Sequence, residues 1–181
     1  MRELVDFGIS PNERDYSNTY RETDFVLYQK YTYEDACRLL NWENNEVPLN
    51  IGGYKYDKKT KTFPVFINYD KSEDISDTTK YEDHFTSSSS LIAISKSGRS
   101  VASEDVQNFL HAEERGIQVH LFVRKNKDDK ISKEFYYLGY MKTSGRTKEF
   151  TMPNTDKTAV EIEWLLDVPV REDLYEYIVN E

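Results

Sequence analysis

The chain has 181 residues, with 24 lysines and arginines against 33 aspartates and glutamates, and a formal net charge of −9. This length fits one domain with a substantial core, and the scarcity of glycine and proline excludes a disordered or fibrous chain. The single cysteine, Cys37, excludes an internal disulfide and a multi-cysteine metal cluster. Because no apolar run reaches membrane-spanning length and no signal-peptide pattern opens the chain, we expect a soluble, cytoplasmic protein with no membrane partner.

The charge is distributed unevenly along the chain. Residues 1–47 carry 10 acids and 5 bases, residues 156–181 carry 8 acids and 2 bases, and residues 48–155 carry 15 acids and 17 bases. The two ends are therefore acidic and the centre is slightly basic. Because phosphate binding depends on a local basic patch, the negative total does not exclude a nucleic-acid partner.

The N-terminal part of the chain divides into a leader and the start of a domain. Residues 1–24 show little periodicity and contain turn signals, so we interpret them as a leader or linker before a domain at residues 25–181. A short strand is possible at residues 25–28. Residues 32–42 favour a helix, because Thr32 is a good N-cap and an aspartate follows three residues later.

Residues 50–71 predict two strands joined by a lysine-rich turn. The stretch contains five aromatic residues, which are Tyr54, Tyr56, Phe63, Phe66 and Tyr69. Asp57 places one carboxylate among them. Such a set could stack on an extruded nucleobase and accept a hydrogen bond from the exocyclic amine of cytosine. A half-buried hairpin with core aromatics is the alternative, because aromatic residues are ordinary in strands.

The rest of the chain alternates strands with a few helices. Ser103 caps a second predicted helix that ends at Gly116, and an acidic helix follows Pro169 at the C-terminus. The predicted strands lie at residues 91–94, 117–124, 134–141 and 160–166, and a basic turn is predicted at residues 142–148. Because hairpins join most of these strands, the sequence predicts an α+β fold with a curved, antiparallel, barrel-like sheet and a few flanking helices.

Cations concentrate in two predicted turns. The residues that we expect to contact DNA phosphates are Lys58, Lys59, Lys61, Lys96 and Arg99. Ser95–Arg99 combines hydroxyls, a glycine and two cations, a composition that suits a phosphate-binding loop and equally a solvent-facing turn.

The motifs of common catalytic and cofactor sites are absent from the sequence. We find no nucleotide-binding glycine pattern and no nucleophile elbow, and the three histidines lack metal-ligand spacing. A small metal-dependent nuclease would require distant acids to converge. The sequence therefore predicts no catalytic residue, no metal and no cofactor.

Five blocks of the sequence resemble the C-terminal domain of SauUSI-type type IV restriction enzymes. The blocks are YTYEDACRLLNW (31–42), NIGGYKYDKKTKTFPVFINYDK (50–71), TTKYEDHF (78–85), VHLFVRK (119–125) and EFYYLGY (134–140). In those enzymes the domain follows a phospholipase-D-type nuclease and a helicase. It is regarded as similar to the SET- and RING-associated (SRA) fold, which flips 5-methylcytosine out of DNA.

The resemblance implies a non-catalytic domain that reads 5-methylcytosine or 5-hydroxymethylcytosine in double-stranded DNA. It would direct the helicase and nuclease domains of a parent chain to modified foreign DNA, as in defence against phage. The alternative is an interaction module that docks a helicase or nuclease partner through its acidic ends and basic centre, with no base pocket.

The resemblance also implies a pocket, because Gly-Gly-Tyr-x-x-Asp and a second aromatic residue match the SRA spacing. If the residue roles of the family apply at these matching positions, Tyr54 and Phe66 sandwich the base and Asp57 accepts from its amino group. The sequence departs from the family where Phe66-Ile67 replaces Tyr-Thr, and no Asn-Lys-Arg finger follows. Tyr81 and Asp83 are rival candidates for the ring and the acceptor. Trp42 is a further possible wall, with core packing as its other role.

Overall fold

The computed structural model describes residues 19–43, 53–69, 82–125 and 133–180. Its helices are α1 (Tyr33–Leu39), α2 (Glu104–Leu110), α3 (Ala112–Arg115) and α4 (Glu172–Val179). Its strands are β1 (Lys30–Tyr31), β2 (Thr62–Asn68), β3 (His84–Ser87), β4 (Ser90–Ile94), β5 (Gln118–Arg124), β6 (Phe135–Thr151) and β7 (Thr158–Leu166).

The strands form one open, mixed sheet among the described residues. Its order is β2-β5-β6-β7-β4-β3, and β1 pairs with the start of β6. All pairs are antiparallel except β2 and β5, which run parallel. The predicted α+β class is confirmed, but the sheet is neither purely antiparallel nor closed, so "barrel-like" describes it only loosely.

Strand β6 holds the two halves of the sheet together. Its first residues pair with β5, and from Met141 onward it pairs with β7. The basic turn predicted at residues 142–148 is wrong, because the strand continues through this segment. The register shifts between Thr143 and Thr147, and Gly145 has a φ of +98°. At a β-bulge a glycine can adopt a positive φ, as it does in turns, while the strand continues past it.

Local signals place most of the helices correctly. The Thr32 side chain accepts from the amide of Asp35, whose carboxylate accepts in return from the Thr32 amide, so the predicted capping box is present. Helix α4 follows Pro169 and buries two residues, Leu174 and Ile178. The possible strand at residues 25–28 is wrong, since these residues form no strand and β1 begins two residues later.

Two hydrophobic clusters form the core in the part of the chain that the structure describes. The first includes Val65, Ile67, Phe109 and Trp164, and helices α2 and α4 contribute to it. The second contains ten buried residues, which are Tyr20, Phe25, Ala36, Cys37, Leu40, Trp42, Phe66, Phe122, Phe135 and Tyr137. Neighbouring residues of β2 belong to different clusters because successive side chains of a strand point to opposite faces.

Candidate functional site

A partly enclosed cavity lies against the first cluster, where β2, β4 and β7 meet helix α2. It has a volume of about 200 Å³. Its lining is mostly apolar and aromatic and consists of Gly53, Tyr54, Val65, Phe66, Ile67, Asp83, Ala93, Ile94, Ser95, Lys96, Phe109, Ile162 and Trp164. Pockets that bind small flat ligands commonly combine such walls with a few placed polar groups.

Tyr54 forms one wall of the cavity and is only 7% exposed. It is held by an isolated bridge to Val65, and its ring packs edge-on against Phe63 and Phe109. The preceding Gly53 has a φ of +99° and accepts through its carbonyl from the Phe66 amide at 2.6 Å. A glycine is required there because other residues rarely adopt this backbone conformation.

Asp83 supplies a carboxylate to the same cavity. Its Oδ1 accepts a hydrogen bond from the Ile94 amide at 2.7 Å, which fixes the side chain against strand β4. Because an ionised carboxylate has acceptor sites on both oxygens, Asp83 can also receive a donor from a bound ligand. The structure therefore brings three predicted pocket residues to one cavity, namely Tyr54, Phe66 and Asp83.

A larger, open cleft of about 660 Å³ adjoins the cavity, and Tyr54 and Lys96 line both. The cleft is lined by Tyr54, Lys55, Tyr56, Lys58, Phe63, Lys96, Gly98, Arg99, Ser103, Glu104, Asp105 and Asn108. It contains four cations and two carboxylates. Three of the five predicted phosphate-contacting residues are among these cations, namely Lys58, Lys96 and Arg99.

Lys96 contacts the wall of the cavity directly, and Arg99 reaches it through Asp105. The Lys96 ammonium lies 4.7 Å from the centre of the Tyr54 ring, within the range of a cation–π interaction. Partial burial lowers the pKa of Lys96, and the nearby Arg99 lowers it further. Arg99 donates through Nε to Asp105 at 2.9 Å.

The other two predicted phosphate-contacting residues lie at the turn before β2. Lys59 is exposed and pairs with the carboxylate of Glu43. Lys61 is exposed, and its carbonyl accepts from the amide of Gln118 at the start of β5. Neither residue lines the cavity or the open cleft.

Asp57 has a local structural role. Its Oδ2 accepts from the amide and the hydroxyl of Thr60, at 3.0 and 2.6 Å, and so closes the turn before β2. It lines a small separate hollow that also includes Trp42. The structure therefore does not bring Asp57 into the cavity with Tyr54. The rival ring, Tyr81, lies outside the described residues.

Phe66 and Trp42 belong to the second cluster. The Phe66 ring stacks on Phe122, with 4.6 Å between ring centres, and Phe66 contributes to the cavity lining from the far face of β2. The rings of Tyr54 and Phe66 belong to different hydrophobic clusters, although both residues line the cavity. Trp42 is buried and donates through Nε1 to Thr62 at 2.8 Å, which is its alternative, core-packing role.

Asp105 is a site residue that the sequence analysis missed. Its Oδ2 accepts from the Tyr54 hydroxyl at 2.6 Å and from Arg99 Nε. Tyr54 and Asp105 are 51 positions apart in the sequence. No local pattern of residues signals such a contact.

Neither a metal-binding group nor a membrane-spanning helix occurs among the described residues. In that part of the chain, no group of three or more His, Cys, Asp or Glu side chains is arranged to hold a metal ion. The described helices are also all too short or too polar to cross a membrane.

Comparison of the sequence with protein families gives one finding. The model of a domain of unknown function, DUF3427, matches residues 25–178. A search of curated proteins gives no match.

Solved structures with a similar fold include SRA domains. The SRA domain of SUVH5 in complex with hemimethylated CG DNA has a TM-score of 0.51 at 13% identity, covering 81% of this chain and 91% of that chain. KRYPTONITE in complex with mCHG DNA gives 0.50 at 10% identity, covering 81% of this chain and 33% of that chain. KRYPTONITE in complex with mCHH DNA, H3(1-15) peptide and SAH gives 0.51 at 9% identity, covering 94% and 37%. The fold is therefore SRA-like, and the chain spans about a third of KRYPTONITE.

Proposed function

This chain belongs to the DUF3427 family, and we propose that it is a DNA-recognition domain for 5-methylcytosine or 5-hydroxymethylcytosine flipped out of a duplex. The observation that carries the proposal is the SRA-like fold, since the similar SUVH5 domain was solved on hemimethylated CG DNA. The cavity beside a basic cleft supports it, because an extruded base needs a pocket and its phosphates need cations nearby.

The cavity has the chemistry to select a modified cytosine. Aromatic rings at Tyr54, Phe109 and Trp164 line it, together with the aliphatic side chains of β2. Stacking is worth roughly 1–3 kcal/mol but accepts any base. Asp83 would accept from the exocyclic amine, which thymine lacks. Contact of the C5 methyl with the apolar wall would add on the order of 1 kcal/mol.

The open cleft would hold the backbone of the extruded nucleotide. Lys58, Lys96 and Arg99 face it and would meet phosphate oxygens. The Lys96 ammonium covers one face of the Tyr54 ring. For a base to stack on that face, the ammonium must move off the ring, and the adjoining cleft gives it a place to go. Lys59 and Lys61 would add weaker contacts from the adjacent turn.

In a longer protein, we propose that this domain targets a type IV restriction enzyme to modified DNA. The cleavage and translocation would belong to nuclease and helicase domains, and this domain would be non-catalytic. The blocks that resemble SauUSI-type enzymes support this role, and it agrees with a cytoplasmic location.

The test is fluorescence anisotropy of the purified chain with three matched duplexes, at two salt concentrations. The duplexes carry cytosine, 5-methylcytosine or 5-hydroxymethylcytosine at one position. The proposal predicts tighter binding to the modified duplexes at both salt concentrations, with affinity for all three falling as salt rises.

Folding is checked by circular dichroism, so that a loss of binding is not mistaken for a loss of structure. Equal binding, or no binding, by the folded chain would contradict the proposal. It would favour the alternative in which the domain docks a helicase or nuclease partner without a base pocket.

A further inference from the structure

One carboxylate oxygen connects the wall of the cavity to a cation of the open cleft. Asp105 Oδ2 accepts from the Tyr54 hydroxyl at 2.6 Å and from Arg99 Nε at 2.9 Å. The Tyr54 hydroxyl accepts in turn from the Lys96 amide at 3.0 Å. The ring that faces the cavity is therefore joined by hydrogen bonds to the Arg99 cation, through Asp105, and to the backbone of Lys96.

This network is sheltered but reaches solvent on one side. Tyr54 is buried, the Asp105 side chain is 18% exposed and the Arg99 side chain is 37% exposed. Burial raises the pKa of Tyr54, and the hydrogen bond to Asp105 raises it further, so the phenol stays protonated as a donor. The same carboxylate raises the pKa of Arg99, which therefore stays charged.

Two consequences follow from sharing this oxygen. The bond to Tyr54 fixes the orientation of the ring that lines the cavity. The bond to Arg99 occupies one of the five N–H donors of the guanidinium and offsets its charge, which weakens its attraction for phosphate. Asp105 thus favours an ordered pocket and opposes binding to the DNA backbone.

We propose that Asp105 is a positioning residue that makes binding selective for the modified base at the cost of general affinity for DNA. It acts through Tyr54 on the pocket and through Arg99 on the phosphate contact. The inference rests on the proposed function and names a residue that sets its selectivity.

The decisive variant is Asp105→Asn, which removes the charge and keeps the shape. The variant should bind the unmodified duplex more tightly, with a salt dependence steeper by about 0.9 in log–log slope, because Arg99 is released for one phosphate. The ratio of affinities for modified and unmodified duplexes should fall by about ten-fold. The single oxygen of asparagine cannot replace both carboxylate oxygens, of which Oδ2 accepts from Tyr54 and Oδ1 from the Val106 amide, and a bond that it keeps to the pocket ring is no longer charge-assisted.

Two further variants separate this role from bulk charge and from folding. Glu104→Gln removes an exposed carboxylate from the same cleft, next to Asp105 in the chain. It should raise the affinity for all duplexes without changing the ratio of affinities for modified and unmodified DNA. Tyr54→Phe removes the hydroxyl and leaves the Asp105–Arg99 pair, so it should lower the ratio without tightening binding to unmodified DNA.

The outcomes distinguish the inference from the proposed function. If the wild-type chain does not discriminate between duplexes, the proposed function fails and the inference falls with it. If the wild type discriminates and folded Asp105→Asn keeps its ratio, or matches Glu104→Gln, the inference alone is overturned. Should Asp105→Asn not fold, Tyr54→Phe decides, and wild-type selectivity in that variant overturns the inference.

Discussion

The substitution Asp83→Asn tests which carboxylate recognises the base. Asp83 lines the cavity with Tyr54, and its Oδ1 accepts from the Ile94 amide at 2.7 Å. The asparagine carbonyl can keep that bond. Its amino group then replaces the second carboxylate oxygen, so a donor faces the donor of a cytosine amine.

The expected loss follows from the bond that is removed. A hydrogen bond to a charged group is worth about 1.5–3 kcal/mol, which corresponds to a loss of roughly 10- to 150-fold in affinity for the modified duplex. Affinity for the unmodified duplex should fall less. Its cytosine carries the same amine but lacks the C5 methyl that favours entry into the cavity, so more of its binding comes from phosphate contacts. The slope of affinity against salt should stay the same, because no phosphate-contacting cation is altered.

The matched control is Asp57→Asn, which makes the same change of charge outside the cavity. Asp57 accepts from Thr60 and closes the turn before β2, so its substitution should affect stability more than selectivity. Both variants are titrated with modified and unmodified duplexes by anisotropy. If Asp57→Asn loses selectivity and Asp83→Asn keeps it in full, Asp83 is not the acceptor for the base. That result would favour Asp57, the acceptor implied by the resemblance.

Three further predictions concern the surroundings of the site. Trp42→Phe removes the bond to Thr62 and should lower the free energy of unfolding in urea by about 0.5–1.5 kcal/mol, with selectivity for modified DNA intact. Gly53→Ala meets no atom within 4 Å, so its cost of about 1–3 kcal/mol should come from the backbone at φ +99°, and selectivity should fall because the next residue is the pocket tyrosine. The hydrogen bond from Arg21 holds the pKa of Asp167 below its usual value of 3.8. The ionised carboxylate therefore stabilises the fold fully above pH 3.8, and this contribution is lost as the pH falls through the lowered pKa. Asp167→Asn should therefore reduce the dependence of stability on pH in this acidic range, as followed by circular dichroism, and an unchanged acid transition would contradict this role.

Much of the fold could be predicted because its signals are local. The capping box at Thr32, the alternation of apolar residues in β7 and the glycine that ends α3 depend only on residues a few positions apart. The parallel pairing of β2 with β5 could not be predicted in this way, because 49 residues separate their segments in the chain. The turn predicted at residues 142–148 failed because a glycine at a bulge resembles a glycine at a turn.

The candidate site shows the same limit. The resemblance to the SRA family implied that Phe66 lies opposite Tyr54. In the structure Tyr54 bridges to Val65, and the neighbouring Phe66 packs into the second cluster while still lining the cavity, an arrangement that spacing could not reveal. Asp83 was a rival on sequence grounds, and only the pairing of β3 with β4 places it at the cavity. Asp105 carried no signal, because its partner lies on a distant segment.

The measurement that tests the central claim most directly is the NMR signal of a ¹³C-labelled C5 methyl group in a duplex containing 5-methylcytosine. Inside the cavity this methyl would lie among the rings of Tyr54, Phe109 and Trp164. We predict that saturation with the chain shifts the methyl signal upfield and gives contacts to aromatic protons, and that Asp83→Asn weakens both effects. A methyl signal that stays at its position in free duplex while binding saturates would show that the base does not enter the cavity, and would contradict the account.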